Sequence, residues 1–130
     1  MSSLLNALAI SSSGMEAQAT RLRHVSENIA NADTPGYRRK IASFESVANF
    51  GSDIGQVRSG PVQLDQSTRE MVFDPAHPLA DATGHYEGSN VDLIVEVADA
   101  RQAQRSYEAN LKMFDQARQM TSSVLELLRR

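Results

Sequence analysis

The sequence has 130 residues, of which 41% are apolar and 5% aromatic, with no tryptophan and no cysteine. This length supports one domain with a modest core, and the missing cysteines exclude a disulfide framework, a zinc–thiolate centre and a cysteine nucleophile. The formal net charge of −3 argues against nucleic acid or an anionic membrane as a partner, since both select a basic surface.

A long N-terminal helix is predicted over residues 1–32. The first arginine is Arg21, so residues 4–10 lack the charged start of a cleaved secretory signal. No apolar run approaches the length of a membrane span, and we expect no direct membrane insertion. Large apolar side chains recur every seven residues and, with Leu4 and Val25 on adjoining positions, form a packing stripe: Leu8, Met15, Leu22 and Ile29.

The residues that follow this helix are predicted to stop it. Thr34 precedes a proline and is therefore disfavoured in a helix. Pro35 followed by Gly36 fits a type II turn, because glycine supplies the positive φ that this turn requires. The basic run at 38–40 is too small a cluster for nucleic-acid binding on an acidic chain, and we expect a charged rim that contacts a neighbouring molecule.

The middle segment, residues 33–90, is predicted to be extended or to contain short strands. It is rich in glycine, serine, aspartate, asparagine and proline, with scattered apolar clusters. The group of Val62 and Leu64 and the group at 71–73 are expected to pair as short strands across residues 65–69.

A second long helix is predicted over residues 91–130. Ser89–Asp92 resembles a capping box before it, and neither proline nor glycine interrupts it. One apolar stripe is expected to form the seam with the first helix, while a second, rotated stripe faces outward toward a partner. The alternative is that the middle segment folds over this second stripe. The first stripe contains Leu93, Val97, Ala100, Tyr107, Leu111 and Phe114; the second contains Met113, Ala117, Met120, Val124 and Leu127.

The predicted fold is therefore mainly α. The N- and C-terminal helices pack as an antiparallel, coiled-coil-like pair and form one helical inner domain, with an extended or small β-rich segment between them.

No catalytic, cofactor or metal site is predicted. Asp74, His77, Asp81 and His85 form the one cluster of metal-compatible residue types, but it matches neither HExxH nor an EF-hand. Aspartate and histidine in such loops usually hydrogen-bond locally or face solvent. No P-loop, GxSxG or GxGxxG occurs, so we expect neither an enzyme nor a small-molecule substrate.

The run from Asn28 to Tyr37 resembles the signature near the N-terminus of bacterial flagellar axial proteins, the rod, hook and hook-associated proteins. Residues 74–86 are similar to the segment before the C-terminal helix of proximal-rod members, and residues 104–110 resemble the C-terminal helix that the family shares. The positions that carry the resemblance are Asn28, Asn31, Thr34, Pro35, Gly36, Tyr37, His77, Pro78 and Leu79.

This resemblance implies a structural subunit of the proximal rod, in the basal body that crosses the periplasm. Its terminal helices would pack with copies of itself and other rod proteins into a tube that transmits torque and surrounds the export channel. The flagellar type III apparatus would export it without a cleaved signal peptide. The alternative from the residues alone is a soluble helical adaptor that binds a partner helix through the second stripe.

Overall fold

The computed structural model describes residues 2–47 and 55–129, in which two long helices flank six short strands. In chain order the elements are α1 (Ser2–Ala30), β1 (Lys40–Ile41), β2 (Phe44–Ser46), β3 (Val57–Ser59), β4 (Gln63–Leu64), β5 (Met71–Phe73), β6 (His85–Glu87) and α2 (Leu93–Leu128).

The two helices pack side by side and run in opposite directions. Asn28, near the end of α1, contacts Glu96 near the start of α2. Gly14, in the middle of α1, lies beside Asn110, in the middle of α2. At about 1.5 Å per residue, α1 is ~44 Å long and α2 is ~54 Å long. The predicted pair of packed terminal helices, with a small strand-containing segment between them, is confirmed.

Small side chains fill the seam between the helices. Ala103 is fully buried, and Ala17 and Ala117 are nearly so. A Cβ added to Gly14 would lie 2.8 Å from the side-chain amide of Asn110, so the helices approach closely at this point. Helix α1 continues through Gly14 without interruption.

The apolar stripe that the sequence assigns to the seam lies largely outside it. Leu93, Val97 and Leu111 are 52%, 45% and 41% exposed, and Phe114 is half-buried. Ala117, from the stripe expected to face outward, is buried instead. The close approach of the helices explains this difference, because it leaves room for alanine at the centre and places larger side chains at the flanks.

The strands form three separate antiparallel pairs: β1 with β4, β2 with β3, and β5 with β6. The predicted pairing of Val62 with Met71–Phe73 is wrong, because the latter pairs with His85–Glu87. The intervening loop closes this hairpin through its own hydrogen bonds, such as the 2.9 Å bond from the Asp74 amide to the Gly84 carbonyl. Two of the three pairs, β2 with β3 and β5 with β6, join consecutive strands, and only β1 with β4 does not.

The middle segment packs mainly against α1. The amide of Val57 donates a 3.1 Å hydrogen bond to the hydroxyl of Ser13, and the backbone of Lys40 is bonded to Asn28. Neither helix, over its described residues, is both long enough and apolar enough to span a membrane.

Candidate functional site

The turn after α1 has the geometry that its sequence predicts. Gly36 has a φ of 75°, and the Tyr37 amide donates a 3.2 Å bond to the Thr34 carbonyl. Asn31 supports the helix end, since its side-chain amide donates to the carbonyl of Glu27 at 2.9 Å. The Gly36 amide also donates to the Glu87 carbonyl at 3.2 Å, so the turn is fixed to β6.

Asn28 is the centre of a polar cluster that connects α1, the turn and α2. Its side chain is fully buried. Its Oδ1 accepts from the Tyr37 hydroxyl and from the Lys40 amide, each at 2.8 Å. Its Nδ2 donates to the Lys40 carbonyl at 3.0 Å and to Glu96 Oε2 at 3.4 Å. A buried carboxamide has four hydrogen-bonding positions, and here all four are used.

A buried ion pair adjoins this carboxamide. Arg39 Nε lies 2.6 Å from Oε1 of Glu96, whose side chain is fully buried, while that of Arg39 is 17% exposed. Burial lowers the pKa of Arg39, but the hydrogen bond and charge of Glu96, with those of Asp65, outweigh it and hold the pKa above its usual range. The expected charged rim is therefore wrong for Arg39, whose guanidinium group turns inward because an unpaired buried carboxylate is very unfavourable.

Further ion pairs surround the cluster. Lys40 Nζ lies 2.5 Å from Glu27 Oε2, and Arg39 also contacts Asp65 at 3.3 Å and Asp99 at 3.4 Å. The hydrogen bond from Lys40 lowers the pKa of the Glu27 carboxyl, and that from Glu27 raises the pKa of Lys40. We name this cluster the polar junction; it comprises Glu27, Asn28, Tyr37, Arg39, Lys40, Asp65, Asn90, Glu96 and Asp99.

The residues before α2 connect the N-terminal end of this helix to the polar junction. Asn90 Oδ1 accepts from the Arg39 amide at 2.7 Å, and Asn90 Nδ2 donates to the Asp65 carbonyl at 2.8 Å. Ser89 donates its hydroxyl proton to the Ala32 carbonyl. The capping-box prediction is wrong in its register, because Asp92 caps the helix by accepting from the Ile94 amide at 3.0 Å.

The histidine-containing loop has a structural role of its own. Asp81 Oδ1 accepts from the amide and the hydroxyl of Thr83 and from the amide of His85, and the Thr83 hydroxyl bond is first among the causes that lower the Asp81 pKa. His77 accepts from the Leu79 amide at 3.1 Å and stacks on Tyr86 with a centroid distance of 4.0 Å. In the described part of the chain no three potential ligand side chains are grouped to hold a metal ion.

The motif residues therefore fall into two groups. Asn28 and Tyr37 meet at the polar junction, with the turn residues beside them. His77, Pro78 and Leu79 lie in the separate β5–β6 loop, where Leu79 is 64% exposed.

The predicted packing residues also differ in burial. Val25 is buried and Ile29 is 39% exposed. Half-buried members are Leu8, Met15, Leu22, Phe114 and Val124; exposed members are Val97, Leu111, Met120 and Leu127.

Sequence reasoning missed Glu96 as a site residue. A charged residue in an amphipathic helix is usually assigned to the solvent face. A usable signal was nevertheless present, because Glu96, Ala103, Asn110 and Ala117 are spaced seven residues apart and lie on one face. Ala103 and Ala117 on that face are buried in the seam, which places Glu96 inside as well.

Comparisons with known proteins match most of the chain to one group. Residues 8–38 match the family described as flagella basal body rod protein, and residues 82–127 match the C-terminal family of flagellar basal body rod FlgEFG proteins. The first match contains the turn motif, and the second contains Glu96.

Full-length relatives agree with the family matches. The chain is 42% identical to the flagellar basal-body rod protein FlgC of Agrobacterium fabrum, over 99% of this chain and 98% of that protein. It is 35% identical to FlgC of Salmonella typhimurium, over 95% and 97% of the two chains. It is 33% identical to FlgC of Aquifex aeolicus, over 97% and 98%.

Proposed function

Because the chain belongs to the FlgC family of flagellar basal-body rod proteins and is a structural subunit of the rod, not an enzyme, we propose that its helices build the wall of the proximal rod. In this proposal α1 and α2 pack with helices of neighbouring subunits into a tube that transmits torque and surrounds the export channel. The adaptor alternative is set aside, because the relatives match over nearly the whole chain.

The observation that carries the proposal is the position of the large apolar side chains on α2. The seam buries mainly small residues, while Ile94, Leu127 and Leu128 are 81%, 67% and 72% exposed. Contiguous exposed apolar surface marks a contact site. Burying apolar surface contributes about 25 cal/mol per Å², so contact with neighbouring subunits would supply the hydrophobic stabilisation that the isolated helix pair lacks.

Two such surfaces lie at opposite ends of α2. The first, which we name the N-terminal patch, consists of Leu93, Ile94, Val97 and Ala98 with the arginines at 101 and 105 at its edge. The second, the C-terminal patch, combines Met120, Val124 and the adjacent Leu127 of α2 with Leu4 of α1. Surfaces of this kind at both ends suit an assembly in which each subunit contacts others on more than one side.

The polar junction supports the mechanical part of the proposal. Torque can pass from helices to the middle segment only if the connection between them resists rotation. Asn28 and Arg39 connect α1, the returning chain and α2 through several directed hydrogen bonds rather than through one flexible loop. Packed and fully hydrogen-bonded networks of this kind favour a single geometry.

We further propose that the partners are copies of this chain and other rod proteins, and that the subunit is exported through the flagellar type III apparatus without a cleaved signal peptide. The chain contains no cysteine, so no disulfide has to be reduced before an unfolded chain passes through a narrow channel. The assembled protein would lie in the basal body, in the part of the rod that crosses the periplasm.

Substitution in the C-terminal patch tests the assembly proposal. Leu127→Asp places a charge on a side chain that is 67% exposed in the isolated subunit, so the helicity of the purified chain should change little. In the rod the charge would be desolvated, and we expect loss of swimming and of rods in electron micrographs of basal bodies.

Ser122→Asp is the matched control, because it adds the same charge at an exposed position of α2 that does not line the C-terminal patch. Cells carrying this variant should swim. Normal rods in the Leu127→Asp strain would remove the C-terminal patch from the assembly interface.

A further inference from the structure

Strands β2 and β3, which we name the β2–β3 pair, lie on α1 above two clefts. One cleft, of about 280 Å³, is bounded by α1, the segment from β1 to β2, and α2. The other, of about 250 Å³, lies between α1 and β3. Ser59, the last residue of β3, lines both clefts. The β2–β3 pair is therefore loosely packed on α1, whereas Ala103 in the helix seam is fully buried.

Two side chains beside these clefts carry buried polar atoms without partners. His24 is 8% exposed, and neither ring nitrogen is hydrogen-bonded to any atom in residues 2–47 or 55–129. The hydroxyl of Ser59 is likewise buried and unpaired within these residues. A buried polar group without a partner opposes the arrangement that buries it, because water would satisfy the group once it is exposed. Both groups therefore favour separation of the β2–β3 pair from α1.

Few contacts oppose this separation. Over the described residues, the strands β2 and β3 make one hydrogen bond to α1, the 3.1 Å bond from the Val57 amide to the Ser13 hydroxyl. Phe44, the large apolar residue of β2, is 44% exposed. Segments with few buried apolar contacts open at a lower free energy than the rest of a fold.

The two strands also form a unit of their own. Three residue pairings join β2 to β3. An ion pair between Arg58 and Glu45 adds a further contact across the strands. None of these contacts involves α1, so the strands can stay paired when they leave the helix.

The base of this unit is fixed at the polar junction. Strand β1 pairs with β4, and the Lys40 amide in β1 donates a 2.8 Å bond to the buried Asn28. Residues 42–43 and 60–62 connect this base to the β2–β3 pair and belong to no strand. The two connections lie side by side at one end of the pair, so rotation at these residues can move the pair without disturbing its base.

We propose that the β2–β3 pair opens away from α1 as a unit, by rotation at residues 42–43 and 60–62, while the helix pair and the polar junction stay folded. Opening exposes His24 and Ser59 to water and breaks one hydrogen bond to α1. The subunit thus has two positions for the β2–β3 pair on one unchanged helix pair, and a neighbour that contacts the pair in one position would select that position. The opening is a property of the free chain and does not rest on assembly into the rod.

Thiol labelling tests this proposal, because the chain has no cysteine of its own. Ser59→Cys places a thiol at the buried hydroxyl of β3, and Ala103→Cys places one in the helix seam. Each purified full-length variant is treated with methyl methanethiosulfonate in sucrose, which suppresses global unfolding, and is followed by mass spectrometry. Ser59→Cys should react at least about tenfold faster than Ala103→Cys, because local opening uncovers it at a lower free energy.

Ser46→Cys is the matched reference, since Ser46 is an exposed serine on the same strand pair. Ser59→Cys should react at least about tenfold more slowly than this reference, because its site is closed most of the time. A smaller difference from Ala103→Cys would overturn the proposal, since the pair would then open only with the whole fold. A rate equal to that of Ser46→Cys would overturn it as well, because the pair would not be closed on α1.

Urea below the unfolding midpoint separates the two kinds of opening. The labelling rate of Ala103→Cys should rise more steeply with urea than that of Ser59→Cys, because the urea dependence grows with the surface that opening exposes. Equal slopes would mean that both thiols react from the same open state, and the proposal would be wrong.

Hydrogen exchange of the wild-type chain provides a measurement that needs no substitution. The Val57 amide, which is bonded to Ser13, should be at least about tenfold less protected than the Lys40 amide, which is bonded to the buried Asn28 at the base. Equal protection of these two amides would show that the base opens together with the β2–β3 pair, and would exclude rotation at residues 42–43 and 60–62.

Discussion

Replacing Arg39 by glutamine tests how strongly the polar junction stabilises the subunit. The substitution removes the cation that lies 2.6 Å from the fully buried carboxylate of Glu96. The carboxylate would keep only the 3.4 Å hydrogen bond from Asn28. Removing one partner of a buried ion pair costs about 3–5 kcal/mol. Because the Arg39 side chain is 17% exposed and water can reach the site, we expect the lower end, about 3 kcal/mol.

Urea denaturation followed by far-ultraviolet circular dichroism measures this loss. The described part of the chain buries only four apolar side chains, from Ala17, Val25, Ala103 and Ala117, so the isolated protein should be marginally stable. Sucrose in all samples would raise the stability of every variant into the measurable range. With a urea dependence of about 1–3 kcal/mol per M, the midpoint should fall by about 1–3 M.

Two further variants test whether the loss comes from the buried, unpaired charge of Glu96. Arg58→Gln removes the ion pair between Arg58 and Glu45, whose side chains are 68% and 39% exposed. This loss should cost at most about 1 kcal/mol. Arg39→Gln combined with Glu96→Gln removes both charges and should recover at least half of the loss. If Arg39→Gln shifts the midpoint no more than Arg58→Gln, the ion pair does not stabilise the junction.

Three further predictions follow from the same structure. Gly36→Ala should lower the free energy of unfolding by about 1–2 kcal/mol in the same assay, because φ is 75° at this position. Gly14→Ala should lower it by up to about 2 kcal/mol, because overpacking against Asn110 costs about 1–3 kcal/mol while alanine gains about 1 kcal/mol over glycine in a helix, and Asn110→Ala in the same chain should restore most of the loss. Stability should fall below about pH 4, since Glu27 and Asp65 have lowered pKa values, and the stability they contribute above their unfolded pKa is lost as pH falls through the folded pKa. Circular dichroism across pH 2–7 checks this expectation, and a flat profile would contradict it.

The sequence was sufficient for the helices and for the turn between α1 and β1. Their signals are local: apolar residues at helical spacing, a proline that stops the helix, and a glycine at the position that needs positive φ. Helix α1 ends at Ala30 and Gly36 adopts a φ of 75°, as these signals predict.

The polar junction could not be predicted in the same way. Arg39 and Glu96 are 57 residues apart, and no local feature distinguishes Arg39 from an exposed charge. The seven-residue spacing of Glu96 with Ala103 and Ala117 is informative only once the alanine face is known to be the seam. Only the seam determines that Glu96 points inward. The sequence pattern assigns the seam to the largest apolar residues, whereas the closely packed helices bury alanines there. Glu96 lies on the same face as these alanines, so the prediction missed it as well.

The seam of small residues makes the stability of the subunit depend on concentration. The largest apolar side chains of α2 lie outside the seam, so under the proposed assembly part of the free energy of folding is gained only when a neighbour binds. Binding of a neighbour to the folded chain alone adds about 2.7 kcal/mol when its concentration is one hundred times the dissociation constant. A substitution at the polar junction that unfolds the dilute chain can therefore be tolerated in the completed rod. Such a variant would fail during assembly, before neighbours are present, whereas an already assembled rod would withstand the same defect.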